Sequence, residues 1–157
     1  MDDELARMFE QLRCGLPVAD GEFDAIYPQW VRRLSEQHWT PLEVCLRAAE
    51  LLGADERSTV LDVGAGAGKF CLIGAARTRA RFVGVEQRPR LVEISRETSR
   101  RAGVTNVEFI HDNVMSLDWG RFDAFYFFNP FYEQYASFLP RIDEPIVVSP
   151  HLFTNYV

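Results

Sequence analysis

The chain has 157 residues, the size of one ordinary domain. Hydrophobic residues make up 47% and aromatic residues 13%, enough to bury a core. No apolar run approaches the ~18 residues of a membrane-spanning helix. Seventeen basic residues against 23 acidic ones give a net charge of −6, which offers no general attraction for nucleic acid. The acidic amino terminus lacks the basic segment of a secretory signal. Cys14, Cys45 and Cys71 are odd in number and far apart, so reduced thiols in the cytoplasm are expected, with no disulfide framework and no metal site.

Taken in chain order, Leu5, Met8, Phe9 and Leu12 repeat at helical spacing and stop near Gly15 and Pro17. Phe23, Ile26, Tyr27, Trp30, Val31 and Leu34 form a second stripe, which Pro28 should break or restart. Residues 1–37 are therefore predicted as a helical cap on a domain spanning 38–157. Thr40 is expected to cap the next helix, with Pro41 at its first position and Glu43 completing a capping box. Leu42, Cys45, Ala49 and Leu52 make its apolar face, and Gly53 ends it.

Strands are predicted at about 59–63, 81–86, 107–110 and 122–128. The first runs into Asp62-x-Gly64-x-Gly66-x-Gly68. The dinucleotide fingerprint places its last glycine one residue further on, and a pyrophosphate gains nothing from a neighbouring carboxylate. A ligand with a positive end would welcome Asp62. Glu86 ends the second strand, 22 residues after Gly64, where a carboxylate can accept both hydroxyls of a ribose; the bland alternative is a solvated strand end. Pro89 opens and Gly103 closes a helix whose Leu91, Ile94, Thr98 and Ala102 face inward, with Arg96, Glu97, Arg100 and Arg101 toward water. The arginine-rich stretches 77–81 and 96–101 read as solvated faces. After the third strand comes His111-Asp112-Asn113, in which Asp112 is either a ligand contact or a turn residue satisfying its own backbone. The fourth, nearly all apolar strand suits a parallel sheet covered by helices on both faces. It leads into Asn129-Pro130-Phe131-Tyr132, which is either a simple Asn-Pro turn or an acceptor-orienting loop.

Two segments carry a family resemblance. Asp62–Gly68 resembles motif I of the class I S-adenosylmethionine methyltransferases. Asn129–Tyr132 resembles motif IV of their amino-methylating members, [DNS]-P-P-[YF], with Phe131 replacing the second proline. The resemblance covers about residues 38–133. It implies an α/β, Rossmann-like parallel sheet flanked by helices. Only four of the family's seven strands are evident, with Ile146-Val147-Val148 as a fifth candidate. The chain is therefore expected to lack the last strands, and the bare sheet edge favours a homodimer.

The resemblance also implies a site. Asp62 meets the cofactor's ammonium, while the turn of Gly64, Ala65, Gly66 and Gly68 lets the backbone approach. Glu86, with Gln87, holds the ribose, and Asp112, with Asn113, meets the adenine. Thr40 reaches the methionine carboxylate. Asn129, Pro130 and Tyr132 orient the acceptor. The expected function is methyl transfer from S-adenosylmethionine to an unidentified acceptor, for which a nitrogen fits, with no metal required. A small molecule or protein acceptor is favoured by the acidic balance, and nucleic acid is disfavoured. Two alternatives stand: a non-catalytic binding protein or fragment of the same fold, and an NAD-dependent oxidoreductase, because Glu86 also suits an NAD ribose.

Overall fold

The computed structural model describes residues 3–130. Its helices are α1 (Asp3–Arg13), α2 (Asp20–Asp24), α3 (Gln29–His38), α4 (Leu42–Leu52), α5 (Lys69–Arg77) and α6 (Pro89–Ala102). Its strands are β1 (Thr59–Val63), β2 (Arg81–Glu86), β3 (Val107–His111) and β4 (Ala124–Phe127), with two 3₁₀ turns between β3 and β4. All neighbouring strands pair in parallel, in the order β3-β2-β1-β4. The expected α/β architecture is present. The candidate strand at 146–148 lies outside the described residues.

Strand alternation sorts the sheet into two faces. Val60 and Asp62 of β1 stand in register with Phe82 and Gly84 of β2 and with Ala124 and Tyr126 of β4. This face meets the helices in a continuous core that includes Phe9, Phe23, Val31, Cys45, Phe70 and Leu91. The other face carries Leu61, Val63, Val83 and Val85, covered by Val114, Leu117 and Phe122 from the β3–β4 connection. Helices were expected on both faces; among the described residues the helices' buried side chains all join one. Leu5, Met8, Phe9 and Leu12 of α1 belong to the same core as the sheet.

Pro28 separates α2 from α3, as its fixed φ and missing N–H require. α5 is buried from Lys69 through Ala76 because α1 and α4 pack on one side of it and the sheet on the other. α6 begins with Pro89 and ends on Gly103 at φ +64°. Arg96, expected to face water, instead donates from Nε (3.0 Å) and Nη2 (2.6 Å) to the Phe109 carbonyl on β3.

The start of α4 corrects the predicted capping box. Pro41 itself occupies the N-cap position and makes no side-chain cap bond. The amide of Leu42 donates to Asp20 Oδ1 at 2.9 Å, so a carboxylate from α2 caps the helix. Glu43 is exposed, and the Thr40 hydroxyl is engaged elsewhere.

Candidate active site

In a strand order of 3-2-1-4 the chain reverses direction across the sheet at β1, and ligands of open α/β sheets bind outside the carboxyl ends of the strands there. The turn after β1 and the turn after β4 meet at this point. Gly64 adopts φ +76°, and a Cβ added to it would lie 2.9 Å from Pro130 Cβ. The glycine therefore admits the Asn129-Pro130 turn directly onto the β1 loop. Asn129 is exposed and has φ +49°, the only positive value at a non-glycine among the described residues. Gly68, at φ +82°, opens α5, and a Cβ there would fall 2.6 Å from the Phe109 ring.

Asp62 is 4% exposed, at the carboxyl end of β1. Its Oδ2 accepts from the Cys71 thiol at 3.5 Å. Burial raises its pKa to about 7; the thiol bond opposes that rise, and the nearby Glu86 charge adds to it. Glu86 is 5% exposed, and its two oxygens have different tasks. Oε2 accepts the Gly66 amide at 3.0 Å, bracing the glycine turn, while Oε1 accepts the backbone amide (3.0 Å) and Nη1 (3.1 Å) of Arg88. Amides of Gly64 and Ala65 both donate to the Val85 carbonyl at 3.0 Å, tying the same turn to β2.

Two further groups at this end of the sheet make local bonds. Gln87 is half-buried, and its carbonyl lies 3.0 Å from His111 Nε2. Asp112 is exposed, and its Oδ1 accepts the Asn113 amide at 2.7 Å. The Ser116 hydroxyl and that amide hold its carboxyl below the usual range. Asn113 in turn caps the following 3₁₀ turn by accepting the Met115 amide at 3.0 Å. Tyr132 lies outside the described residues.

The structure gathers around Thr40, already a cofactor candidate, several residues that the sequence did not single out. Trp39, Thr40, Lys69, Phe70, Tyr126 and Phe128 line one cleft with Asp62 and the glycine turn, enclosing about 40 Å³. The Thr40 and Tyr126 hydroxyls lie 2.9 Å apart across it. Tyr126 stands beside Asp62 in the β1–β4 register and stacks on Phe70 with ring centres 3.8 Å apart. Trp39 Nε1 lies 3.6 Å from where a Cβ on Gly66 would project. Lys69, in the first turn of α5, is 5% exposed and lies 2.6 Å from Asp20 and 2.9 Å from Asp24. Asp62 is the carboxylate among the lining residues and Lys69 the cation; because Lys69 is already paired with Asp20 and Asp24, Asp62 is left to meet a ligand with positive charge.

The sequence pattern of a family described as a methyltransferase domain matches residues 54–139, more than half of the chain. The chain belongs to this methyltransferase family. It is of the class I, S-adenosylmethionine-dependent type, and S-adenosylmethionine is the family's cofactor. A solved RNA methyltransferase from Salinibacter ruber, in complex with S-adenosyl-L-homocysteine, is similar over 62% of this chain and 65% of its own. Sequence identity there is 32% and the TM-score 0.52. A 23S rRNA (uracil(1939)-C(5))-methyltransferase of Salmonella choleraesuis is 43% identical over 72 residues, 46% of this chain. The match spans only 16% of that relative's length. A probable ribosomal RNA small subunit methyltransferase A of Methanosphaera stadtmanae is 28% identical over 52% of this chain and 29% of its own length. These relatives correct one expectation. An acidic net charge set nucleic acid aside, yet methyltransferases that resemble this chain act on RNA. Net charge is a whole-chain sum, and it does not report the surface that meets a substrate. No helix among the described residues is long and apolar enough to cross a membrane.

Proposed function

We propose that this chain transfers the methyl group of S-adenosylmethionine to a nitrogen of an RNA base. One observation carries the reading: the buried carboxylate of Asp62 lies under a glycine turn whose first glycine is covered by Pro130 of the Asn129-Pro130 turn. Donor and acceptor sites then adjoin, as transfer between them requires.

The donor set fits the cofactor. Asp62, buried and reluctant to ionise alone, gains most from an ammonium placed against it. The Thr40 hydroxyl stands across the same cleft, within reach of the carboxylate of an amino-acid head group. Glu86 braces the loop through Gly66 and presents a second carboxylate at the end of β2, where a ribose would lie. Asp112 and Asn113 flank the neighbouring strand end, suited to an adenine edge. Bound there, the cofactor supplies an electrophilic methyl carbon whose bond to sulfur breaks as the bond to the acceptor nitrogen forms. Asn129 can accept from the target N–H through its carboxamide oxygen and aim the lone pair inward, and the proton released afterwards passes to solvent. Arg90 stacks over the exposed Trp30 at 4.9 Å, a cation–aromatic surface of the type that meets an RNA strand. The free cysteines, two of them buried, suit a reducing compartment, and we place the protein in the cytoplasm.

The test is calorimetric titration with S-adenosylhomocysteine, with NADH and the Glu86→Ala variant as controls, followed by transfer of labelled methyl to total RNA. Micromolar binding lost in Glu86→Ala, with label appearing on RNA, is the expected result. Binding of NADH in place of S-adenosylhomocysteine would return the site to a dinucleotide.

A further inference from the structure

Asp20 lines no part of the cleft, yet one of its oxygens joins three elements. Oδ1 accepts the Leu42 amide at 2.9 Å and lies 2.6 Å from Lys69 Nζ. Leu42 opens α4 directly after the Trp39–Pro41 segment that roofs the cleft, and Lys69 opens α5 directly after the glycine turn that floors it. A lysine in the first turn of a helix opposes the helix dipole, and a buried one also pays for lost hydration. Here α2 answers both costs: Asp20 and Asp24 bracket the ammonium, and the Phe23 ring lies 5.8 Å from it. Lys69 therefore fixes α2 against α5, and Asp20, so fixed, holds the roof in register with the floor.

We propose that Asp20 is a positioning residue for the cofactor site: with Lys69 it latches the Trp39–Thr40 roof over the glycine turn. This rests on the cofactor reading above. The cleft is partly open and measures only about 40 Å³ beneath the roof, so a ligand's head group fits closely under Trp39 and Thr40 and is retained there while the latch holds. Loss of the latch should then appear chiefly as faster dissociation.

Trp39 provides the measurement. The chain has three tryptophans, and Trp30→Phe with Trp119→Phe leaves Trp39 as the sole indole. In this background Asp20→Ala is expected to raise acrylamide quenching of Trp39 without any ligand. It should also accelerate S-adenosylhomocysteine dissociation about tenfold while leaving the association rate within about twofold. Asp20→Asn keeps an acceptor for Leu42 but not the charge that Lys69 needs, and should fall between. It also serves if the alanine variant fails to fold. Lys69→Met combined with Asp20→Asn should cost little more than either change alone, because both break one latch. Unchanged Trp39 quenching in a folded Asp20 variant overturns the proposal. If quenching rises but the unsubstituted chain binds no S-adenosylhomocysteine, the latch stands and the cofactor reading fails. If ligand binds and dissociates at one rate in every variant, the reverse holds.

Discussion

Thr40 and Tyr126 lie 86 residues apart in the chain and share a 2.9 Å hydrogen bond between their hydroxyls. The bond ties the segment before α4 to the strand that leads to Asn129, so the cleft's roof and its acceptor side are one unit. Tyr126→Phe keeps the stack on Phe70 but leaves the buried Thr40 hydroxyl without this partner. A loss of about 1–2 kcal/mol in unfolding free energy is expected by urea titration. Thr40→Val should cost a similar amount, and the double variant little more. Strict additivity of the two would show that the hydroxyls do not cooperate.

Asp62 sets a pH dependence. Burial raises its pKa from the ordinary 3.8 to about 7, so between those values the folded protein holds a proton that the unfolded chain has lost. Stability therefore falls as pH rises through that window and levels off above it, a total of about 4 kcal/mol for the full shift. Asp62→Asn should flatten the profile and make the free protein more stable at pH 8. Cofactor affinity runs the other way, because the ammonium needs the ionised carboxylate. Native protein should bind S-adenosylhomocysteine about tenfold more tightly at pH 8 than at pH 6, and Asp62→Asn weakly at both. An identical binding profile in the variant would assign the titration to another group.

Two glycines of the turn should fail in different ways. A Cβ at Gly68 would meet the Phe109 ring at 2.6 Å and Ser95 Cβ at 2.8 Å, both in the core, with φ already at +82°. Gly68→Ala should cost several kcal/mol, about 3 or more, because strand and helix must separate. At Gly66 the nearest atom is Trp39 Nε1 at 3.6 Å, an ordinary contact, and the strain at φ +57° is about 1–2 kcal/mol. That variant should fold, with its new methyl pointing into the cleft and S-adenosylhomocysteine affinity reduced at least tenfold. Thermal melts with calorimetry would separate the two; equal stability losses would contradict the packing described.

The sheet was legible because central parallel strands are apolar on both faces and bounded by charge or glycine, so β1 and β2 begin and end where their residue types change. The glycine turn was legible from its spacing. What the sequence hid is long-range. Asp20 caps α4 from 22 residues upstream, so the local Thr40–Glu43 pattern pointed to a capping box that does not form. Lys69 stands out in the sequence only as a cation after the last glycine, and its carboxylate partners 49 and 45 residues earlier give no periodic signal. Trp39 and Tyr126 gave no signal of their own, because the register that sets Tyr126 beside Asp62 exists only once β4 crosses to the far side of β1.

Asn129 combines two properties that one pair of variants can separate. Its φ of +49° is a conformation asparagine tolerates better than most residues, and it directly precedes Pro130, which packs on the turn after β1. If the residue serves only the backbone, Asn129→Gly should be harmless and Asn129→Ala mildly destabilising, by about 1 kcal/mol. If the carboxamide orients the acceptor, both variants should lose methyl transfer alike, by roughly a hundredfold, despite their different stabilities. S-adenosylhomocysteine affinity should stay within about twofold of native in both, since only the acceptor side is altered. Single-turnover transfer of labelled methyl to RNA, measured beside calorimetry on each variant, decides the matter. Transfer retained by Asn129→Gly would reduce Asn129 to a turn residue and leave the acceptor to be oriented by other groups.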